Sequence, residues 1–234
     1  MKGCGREIAG FPCCTVIHGD IDEYLMQLAP GCVDLVVTDP PYGMSFVSGA
    51  RKEKYDAIVG DERLPVETIQ ELIRVPRLAS YFYCRWDNLW DHETLPKPRS
   101  VITWIKPGTG MGDLEHEHGR ASEIALFYPG PEHKFKKRPN DYLDSRRTGN
   151  IVHPTQKPHE LIMEMLRWYD FETVLDPYVG SGTTALAALA LKKHFLAFEI
   201  DAGHHATACQ RIESRMGHVD AAPVGGLFGQ PESD

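Results

Sequence analysis

Short apolar runs rich in valine, isoleucine and aromatic residues alternate along this chain with segments whose apolar residues recur every three or four positions. The first kind of run is typical of buried strands, and the second is typical of amphipathic helices. Strands are predicted at CCTVIH (13–18), VDLVVT (33–38), SYFYCRW (80–86), SVITWIK (100–106), SEIALFY (122–128), TVLDP (173–177) and HFLAFEI (194–200). Helices are predicted at about 21–28, 65–75, 158–170, 182–193 and 202–216. The alternation predicts an α/β fold with a mostly parallel sheet and helices on both faces.

The predicted elements leave three long connections and a polar C-terminal segment. The connections cover 43–65, 107–121 and 129–152, and residues 218–234 lack apolar periodicity. A length of 234 residues suits one α/β domain. We therefore predict a single domain over residues 1–217 with inserted loops at 43–65 and 129–152, followed by a flexible tail at 218–234.

Composition and cysteine usage narrow the class of protein. The chain is 42% hydrophobic and 25% charged, which is typical of a soluble globular protein, and no run approaches the roughly 18 apolar residues of a membrane span. Six cysteines show no CxxC pair and no regular spacing, which argues against a zinc site and a disulfide framework. His116 and His118 form an HxH pair in a glycine-rich loop without further ligands. We therefore expect no metal site and a reducing cytoplasm as the location.

The formal net charge of −8 does not favour nucleic-acid binding, but the charge is unevenly distributed. Residues 133–147 hold six basic side chains against two acidic ones, with His133, Phe135 and Tyr142 between them. A solvated loop and a phosphate-binding surface both account for such a cluster.

The stretch VLDPYVGSGTT (174–184) has the order of a strand, a glycine turn and a helix start. Gly180 and Gly182 allow a ligand to approach the backbone, and Glu199 follows 17 residues beyond Gly182, where an acid can hold ribose hydroxyls. The turn lacks a full GxGxxG, and Asp176 would repel a pyrophosphate. These features favour a nucleoside cofactor with an ammonium group, such as S-adenosylmethionine, over a dinucleotide.

A second candidate site is the DPPYG of residues 39–43, directly after a buried strand. Asp39 and the carbonyl of Pro40 are two acceptors that can bind both hydrogens of an exocyclic amine, and this draws its lone pair out of conjugation. The prolines fix the direction of the chain, and Tyr42 can stack on the ring that carries the amine. A structural turn is the alternative interpretation.

Three motifs together resemble a known family. DPPYG (39–43), HPTQKP (153–158) and DPYVGSGTT (176–184), in this order, resemble the β-class amino-methyltransferases of DNA, which use S-adenosylmethionine to methylate adenine N6 or cytosine N4. HGDIDEYL, WIKPG, SEIALFY and FEID also have counterparts in that family, so the resemblance spans most of the chain. It implies a circularly permuted, Rossmann-like class I methyltransferase fold with one antiparallel strand, in which TDPP and LDPY are neighbouring strand ends.

The resemblance also implies roles for individual residues. The amine-holding corner is Asp39, Pro40, Pro41 and Tyr42. The residues that line the cofactor are Asp20, Thr155, Lys157, Asp176, Tyr178, Gly180, Gly182, Thr183 and Glu199. Among these, Thr155 and Lys157 are expected near the cofactor carboxylate and Asp20 near its adenine. Tyr178 stands where the family most often has phenylalanine.

The implied reaction is direct in-line transfer of the methyl group to an adenine N6 amine that is flipped out of double-stranded DNA. The expected partner is therefore DNA, and the protein is expected to be a monomer or homodimer in a bacterial or phage-infected cell. Phosphates are expected to contact the basic residues of the two inserted loops: Arg51, Lys52, Lys54, Lys134, Lys136, Lys137, Arg138, Arg146 and Arg147. The small size of the insertion predicts a short recognition sequence.

Several alternatives stay open at this point. Cytosine N4 or RNA would be a different substrate for the same chemistry, and a non-catalytic S-adenosylmethionine or DNA binder would be a different class of protein. Cytosine C5 methylation requires a nucleophilic cysteine, and Cys13 of FPCCT is the one candidate considered, but it begins a predicted buried strand.

Overall fold

The computed structural model describes residues 3–41, 65–85, 95–106, 115–116, 118–119, 121–144 and 157–220, with side chains to Met216. Ten strands lie within these ranges: β1 Glu7–Ile8, β2 Phe11–Pro12, β3 Thr15–His18, β4 Val33–Thr38, β5 Pro76–Cys84, β6 Ser100–Ile105, β7 Ser122–Pro129, β8 Tyr142–Asp144, β9 Thr173–Asp176 and β10 His194–Glu199. The α-helices are α1 Val66–Arg74, α2 His159–Arg167, α3 Thr183–Ala190 and α4 Ala202–Asp220.

Eight strands form one sheet in the order β3-β10-β9-β4-β5-β7-β6-β8. β7 is antiparallel to both of its neighbours, and all the other pairs in this sheet are parallel. The two strands that come last in the chain, β9 and β10, lie between β3 and β4, which come early. The sheet therefore has the permuted strand order that was predicted, with one antiparallel strand.

Helices cover both faces of the sheet. The Ser80 hydroxyl donates to the Leu72 carbonyl of α1, whereas the Tyr83 hydroxyl contacts the Met165 sulfur of α2. Because residues 80 and 83 are an odd number of positions apart on β5, they point to opposite faces. α3 packs between α2 and α4, so these three helices form one layer and α1 belongs to the other.

Strand direction defines two edges of the sheet. β3, β4, β5, β6, β8, β9 and β10 all run the same way, and their carboxyl ends lie at one edge, which we call the site edge. β7 runs the other way, so its first residues, Ser122 and Glu123, enter at the site edge and pair with Ile105 and Trp104. Ligands of open α/β sheets bind at such carboxyl ends.

Some local predictions were wrong. The predicted helix at 21–28 consists of two 3-10 turns, Ile21–Glu23 and Leu25–Gln27, because Tyr24 interrupts them with φ −114° and Leu28 is extended. The strand predicted from Cys13 begins at Thr15, since Cys14 has a φ of 58° that an extended strand cannot accommodate. The β1–β2 hairpin and the three-residue β8 were too short to be recognised from the pattern.

The core lies on both sides of β4, β5, β9 and β10. Trp104 and Trp168 are buried in it, as their apolar surroundings in the sequence suggest. Among the described residues, no helix combines the length and apolarity that crossing a membrane requires.

Candidate functional site

The acceptor-rich corner follows β4 at the site edge. Pro40 is buried, and Asp39 and Pro41 are half-buried; Tyr42 lies outside the described residues. β4 pairs with β9, with Leu35 beside Val174 and Val36 beside Leu175. The Thr38 hydroxyl donates to Asp176 Oδ1 at 2.6 Å. The predicted neighbourhood of TDPP and LDPY is therefore observed, and a direct hydrogen bond joins the two strand ends.

Lys157 is inserted between two carboxylates at this corner. Its ammonium donates to Asp39 Oδ2 and lies 3.2 Å from Glu123 Oε2. It also lies 4.9 Å from the centre of the Tyr83 ring. The resemblance implied a place for Lys157 near the cofactor carboxylate; its contacts here are instead with the amine-holding corner. Thr155 lies outside the described residues.

Glu123 was not among the predicted site residues. Its Oε1 accepts a hydrogen bond from Lys106 at 2.9 Å, so the carboxylate bridges Lys106 and Lys157. It reaches the site only because β7 is antiparallel and begins at the site edge. The signal in the sequence was an isolated acid at the start of the apolar run SEIALFY, which had no interpretation until the strand direction was known.

Charge pairing keeps this cluster ionised. Burial acts to lower the pKa of Lys157, but the charges of Asp39 and Glu123 outweigh burial and raise it. Burial acts to raise the pKa of Glu123, but Lys157 and Lys106 lower it to about 2. A buried ammonium with two carboxylates is stable only as a set, because removing one member leaves an uncompensated charge. Lys157 therefore fixes the position of the Asp39 carboxylate.

Asp176, at the end of β9, is in a different environment. The side chain is 6% exposed, and burial raises its pKa to about 6, while hydrogen bonds from Thr38, Thr184 and the Tyr178 amide partly counter this shift. The negative charge of Asp39 adds to the increase. Within the described residues, no cation is printed against Asp176, so the carboxylate is ionised at some cost at neutral pH. A bound cation would remove that cost.

The glycine turn between β9 and α3 has the backbone conformation that its glycines permit. Gly180 and Gly182 have φ values of 51° and 87°. A Cβ at Gly180 would meet no atom within 4 Å, so the turn faces open space there. Thr183 begins α3, whose N-cap Gly182 has no side-chain cap. Arg211 of α4 donates to the Ser181 carbonyl and fixes the turn from behind.

Glu199 and Asp20 lie beside this turn. Glu199 Oε2 accepts from the Gly180 amide at 2.8 Å, and Oε1 accepts from the Asp201 amide at 3.0 Å. The Gly19 amide donates to the Glu199 carbonyl at 3.0 Å, which brings the 3-10 turn capped by Asp20 to the end of β10. Asp20, Gly180 and Glu199 are therefore assembled at the site edge as the sequence predicted.

The Tyr178 hydroxyl has a specific partner. It shares a hydrogen bond with Thr68 of α1, and Thr68 donates to Asp22 Oδ1 at 2.5 Å. Burial is the main reason why the pKa of Tyr178 is raised. The hydroxyl that distinguishes tyrosine from phenylalanine at this position thus links the glycine turn to α1 and to the first 3-10 turn. Thr68 and Asp22 were not predicted.

The predicted DNA-contact residues are divided by the fold. Lys134, Lys136, Lys137 and Arg138 are exposed, but they follow the last residue of β7, so they lie at the edge opposite the site. The Lys136 amide donates to the Trp168 carbonyl. Arg51, Lys52, Lys54, Arg146 and Arg147 lie outside the described residues. The last described residue before Arg146 is Asp144, which pairs with Ile105 at the site edge.

Two rings of the basic segment are packing residues. His133 and Phe135 lie 4.5 Å apart between ring centres, and Phe135 lies 5.2 Å from Tyr169. Both rings also contact Phe127 of β7. These rings hold the segment against the sheet and are not available to stack on a base.

A comparison with protein families matches residues 33–210 to the family described as DNA methylase. The matched range begins at β4 and ends within α4, so it contains both strand ends and the glycine turn. Among individual proteins, the DNA adenine methyltransferase YhdJ of Escherichia coli (strain K12) is 24% identical over 261 residues, covering 90% of this chain and 86% of YhdJ.

Solved structures with the same fold include two methyltransferases. The M1.HpyAVI–SAM complex superimposes with a TM-score of 0.63 at 22% identity, covering 84% of this chain and 98% of that one. The cytosine-N4-specific PvuII DNA methyltransferase gives a TM-score of 0.61 at 15% identity, covering 88% and 93%. These similarities confirm the predicted class I fold.

Proposed function

Since the chain belongs to the DNA methylase family, and is therefore a DNA amino-methyltransferase that uses S-adenosylmethionine, we propose that its acceptor is the N6 amine of adenine. The observation that carries this proposal is the ionised Asp39 carboxylate, which Lys157 holds at the end of β4. The family resemblance in DPPY, with aspartate in the first position, favours adenine. The relative YhdJ is named as an adenine methyltransferase.

Charge and shape at the site fit S-adenosylmethionine. The cofactor carries an ammonium and a sulfonium, and Asp176 is a buried carboxylate that a cation would stabilise. Glu199 ends the neighbouring strand, where its oxygens can exchange the Gly180 and Asp201 amides for ribose hydroxyls. The open space at Gly180 leaves room for the ligand to approach the backbone. Asp176, Gly180, Gly182, Thr183 and Glu199 are thus assigned to the cofactor, with Tyr178 and Asp20 beside them.

The bound cofactor supplies an electrophilic methyl group on a sulfonium. Asp39 and the Pro40 carbonyl accept the two hydrogens of the exocyclic amine, which localises the nitrogen lone pair for attack. Lys157 is a positioning residue: its ammonium holds Oδ2 of Asp39 in place. The neighbouring strand ends hold the amine and the cofactor side by side, which reduces the entropy that the transfer would otherwise lose.

The acceptor base must leave the duplex to reach this corner. An amine that is paired inside double-stranded DNA cannot approach Asp39 at the end of a sheet, so the base is flipped into the site. Tyr42 and Pro41 would then contact its ring. Flipping costs a few kcal/mol of stacking and pairing, which contacts with the DNA backbone must offset.

Nucleoside analysis tests the choice of acceptor. The protein is incubated with labelled S-adenosylmethionine and unmethylated duplex DNA, and the digested nucleosides are separated. We expect the label in N6-methyladenine. Label in N4-methylcytosine would replace the proposed acceptor by the second candidate, which the similarity to the PvuII enzyme favours. Label in RNA only, or in neither base, would contradict a DNA methylation role for this site.

The fold predicts which basic residues of the second inserted loop matter for DNA binding. Arg146 and Arg147 follow Asp144 at the site edge, whereas Lys136 and Lys137 lie at the opposite edge. Replacing Arg146 and Arg147 by alanine is expected to weaken DNA binding about tenfold and to reduce the salt slope by about 2, since each phosphate contact contributes roughly 0.9. The matched control, Lys136→Ala with Lys137→Ala, is expected to change binding less than about twofold.

Binding is measured by fluorescence anisotropy at several salt concentrations. Equal losses for the two double variants would show that the edge of the sheet does not decide which residues contact DNA. A larger loss for the lysine pair would place the DNA on the other edge and contradict the assignment.

A further inference from the structure

Four potential metal ligands converge at the edge of the sheet opposite the site. They are Cys4, Cys13 and Cys14 near the N-terminus and His194 at the start of β10. Their ligand atoms all lie within 4.8 Å of one another. None of the four belongs to the amine or cofactor site, because His194 begins the strand that Glu199 ends. The spacing of the cysteines had argued against a zinc site, but spacing along the chain does not register a ligand 180 residues away.

The donor atoms surround a single point. His194 Nδ1 lies 3.1 Å from Cys13 Sγ and 3.5 Å from the sulfurs of both Cys4 and Cys14. The Cys4 and Cys13 sulfurs are 3.0 Å apart, and those of Cys13 and Cys14 are 3.5 Å apart. Four ligands at zinc–sulfur and zinc–nitrogen bond lengths would be about 3.5–3.8 Å from each other in a tetrahedron. Small outward movements of the side chains would produce that geometry.

The backbone holds the four residues in this arrangement. The Cys13 amide donates to the Arg6 carbonyl, and the Cys4 amide donates to the Cys13 carbonyl, so residues 4–13 form a closed loop around the β1–β2 hairpin. The Cys14 amide donates to the Phe195 carbonyl of β10 at 2.8 Å. Cys14 has a φ of 58°, an uncommon conformation for cysteine that lets consecutive thiols turn to the same point.

Burial and chemistry favour a metal over simple thiol packing. Cys13 and Cys14 are buried, and Cys4 closes the cluster from the exposed side. A disulfide would use two sulfurs and would need no imidazole, whereas here the same imidazole nitrogen contacts all three sulfurs. Three thiolates with one histidine nitrogen are a ligand set of structural Zn²⁺ sites.

We propose that Cys4, Cys13, Cys14 and His194 bind one Zn²⁺ ion in a closed tetrahedral site. The thiols bind as thiolates and release their protons to solvent, and His194 binds through neutral Nδ1. No position remains for a water or substrate, so the ion is structural. It joins the N-terminal hairpin to the start of β10.

One neighbouring contact must change when the ion binds. His194 Nε2 lies 3.2 Å from Arg6 Nη1. When Nδ1 is a metal ligand, Nε2 carries the proton and cannot accept from arginine. Arg6 is exposed, so its side chain can turn to solvent. An Arg6→Ala variant is therefore expected to retain the metal.

Metal content tests the proposal directly. The full chain is purified under reducing conditions after expression with added zinc and is then dialysed, and the metal is measured by mass spectrometry. We expect about one zinc ion per chain. Cys4→Ser is the first variant because Cys4 is exposed, so its loss disturbs packing least; its zinc content should fall at least fivefold. The matched control is Cys32→Ser, which alters a half-buried cysteine outside the cluster and should keep its zinc.

Two further measurements separate ligation from folding. His194→Cys replaces one metal ligand by another and should keep zinc, whereas His194→Ala should lose it. Cobalt-substituted protein should show thiolate-to-cobalt charge transfer and the visible bands of tetrahedral Co²⁺, which Cys4→Ser should lack. A chelator should lower the Tm of the unaltered chain by several degrees and leave that of Cys4→Ser unchanged.

Three results would overturn the proposal. Reduced, folded protein that binds neither zinc nor cobalt would exclude a metal site. Zinc that is lost equally from Cys32→Ser would show binding elsewhere. A Cys4–Cys13 disulfide, found by mass spectrometry in zinc-free protein that keeps the Tm of the zinc-loaded form, would make the cluster a redox bridge instead.

Discussion

Replacing Asp39 by alanine is expected to abolish methyl transfer, with kcat lowered by about 10³-fold, while S-adenosylmethionine still binds. The variant removes an acceptor that bears directly on the reacting nitrogen, and loss of one such group in a preorganised site costs on the order of 10²–10³ in rate. It also frees Lys157 from one of its two carboxylates, which disturbs the position of the remaining groups. Asp176 and Glu199 are unchanged, so the affinity for the cofactor should stay within about threefold. Single-turnover transfer and calorimetric cofactor binding measure the two effects.

Two further variants make the test of Asp39 specific. Asp39→Asn keeps the shape and one acceptor oxygen, so it should retain more activity than Asp39→Ala. Asp144→Asn removes an exposed carboxylate from the same edge of the sheet and should transfer at the normal rate. The assignment of Asp39 fails if the alanine variant, folded as judged by its Tm, keeps more than about a tenth of the activity. It fails equally if cofactor binding and transfer are lost together.

The site is strongly acidic in the part of the chain that the structure describes. Asp39, Glu123, Asp176 and Glu199 lie at the site edge, and the cations paired among them are Lys157 and Lys106. This charge suits a cofactor that carries an ammonium and a sulfonium, and it repels free phosphate. DNA must therefore be attracted by basic residues around the site and not by the site itself, since the net charge of −8 gives no general attraction.

The strands and their adjacency could be predicted because parallel strands place their carboxyl ends at one edge. VDLVVT and TVLDP are continuous apolar runs, and each ends in an aspartate. Once the sheet was taken to be parallel, Asp39 and Asp176 had to be close. The hydrogen bond from Thr38 to Asp176 follows from that register, although no pattern in the sequence specified it.

What the sequence did not indicate depends on direction and on distant pairing. Glu123 joins the site because one strand is antiparallel, and that same reversal carries Lys134–Arg138 to the opposite edge. His194 meets the cysteines because β10 lies next to β3, at a separation of 180 residues. At 21–28, the buried Ile21, Leu25 and Leu28 have helical spacing, but a segment this short gains too little from propagation to remain one helix.

Replacing Asp176 by asparagine is expected to stabilise the cofactor-free protein while it weakens cofactor binding about 10²-fold or more. Burial raises the pKa of Asp176 to about 6 from an ordinary 3.8. An acid whose folded-state pKa is raised loses stability as pH rises from its unfolded value through its folded value, because the folded state binds the proton more tightly. At 1.36 kcal/mol per unit, the ionised form costs about 3 kcal/mol above pH 6. Asparagine removes this cost and can still accept the hydrogen bonds from Thr38 and Tyr178.

The stability gain should depend on pH. We expect an increase of about 1–3 kcal/mol in the free energy of unfolding at pH 7.5, because the asparagine amide must find a new acceptor and recovers only part of the cost. At pH 5 the wild-type carboxyl is largely protonated, so the difference between the two proteins should shrink. Denaturant unfolding at both pH values, with calorimetric titration of S-adenosylmethionine, measures these quantities.

Asp201→Asn is the matched control for this trade-off. Asp201 lies two residues beyond Glu199, and the backbone hydrogen bond from His204 lowers its pKa. An acid with a lowered pKa contributes stability above its unfolded pKa, so asparagine at this position should give no gain. If Asp176→Asn is less stable than wild type at pH 7.5, the buried carboxylate is not strained. If it binds the cofactor normally, Asp176 does not hold the ammonium. A stabilised protein that no longer binds would show that the site keeps an unfavourable charge because its ligand neutralises it.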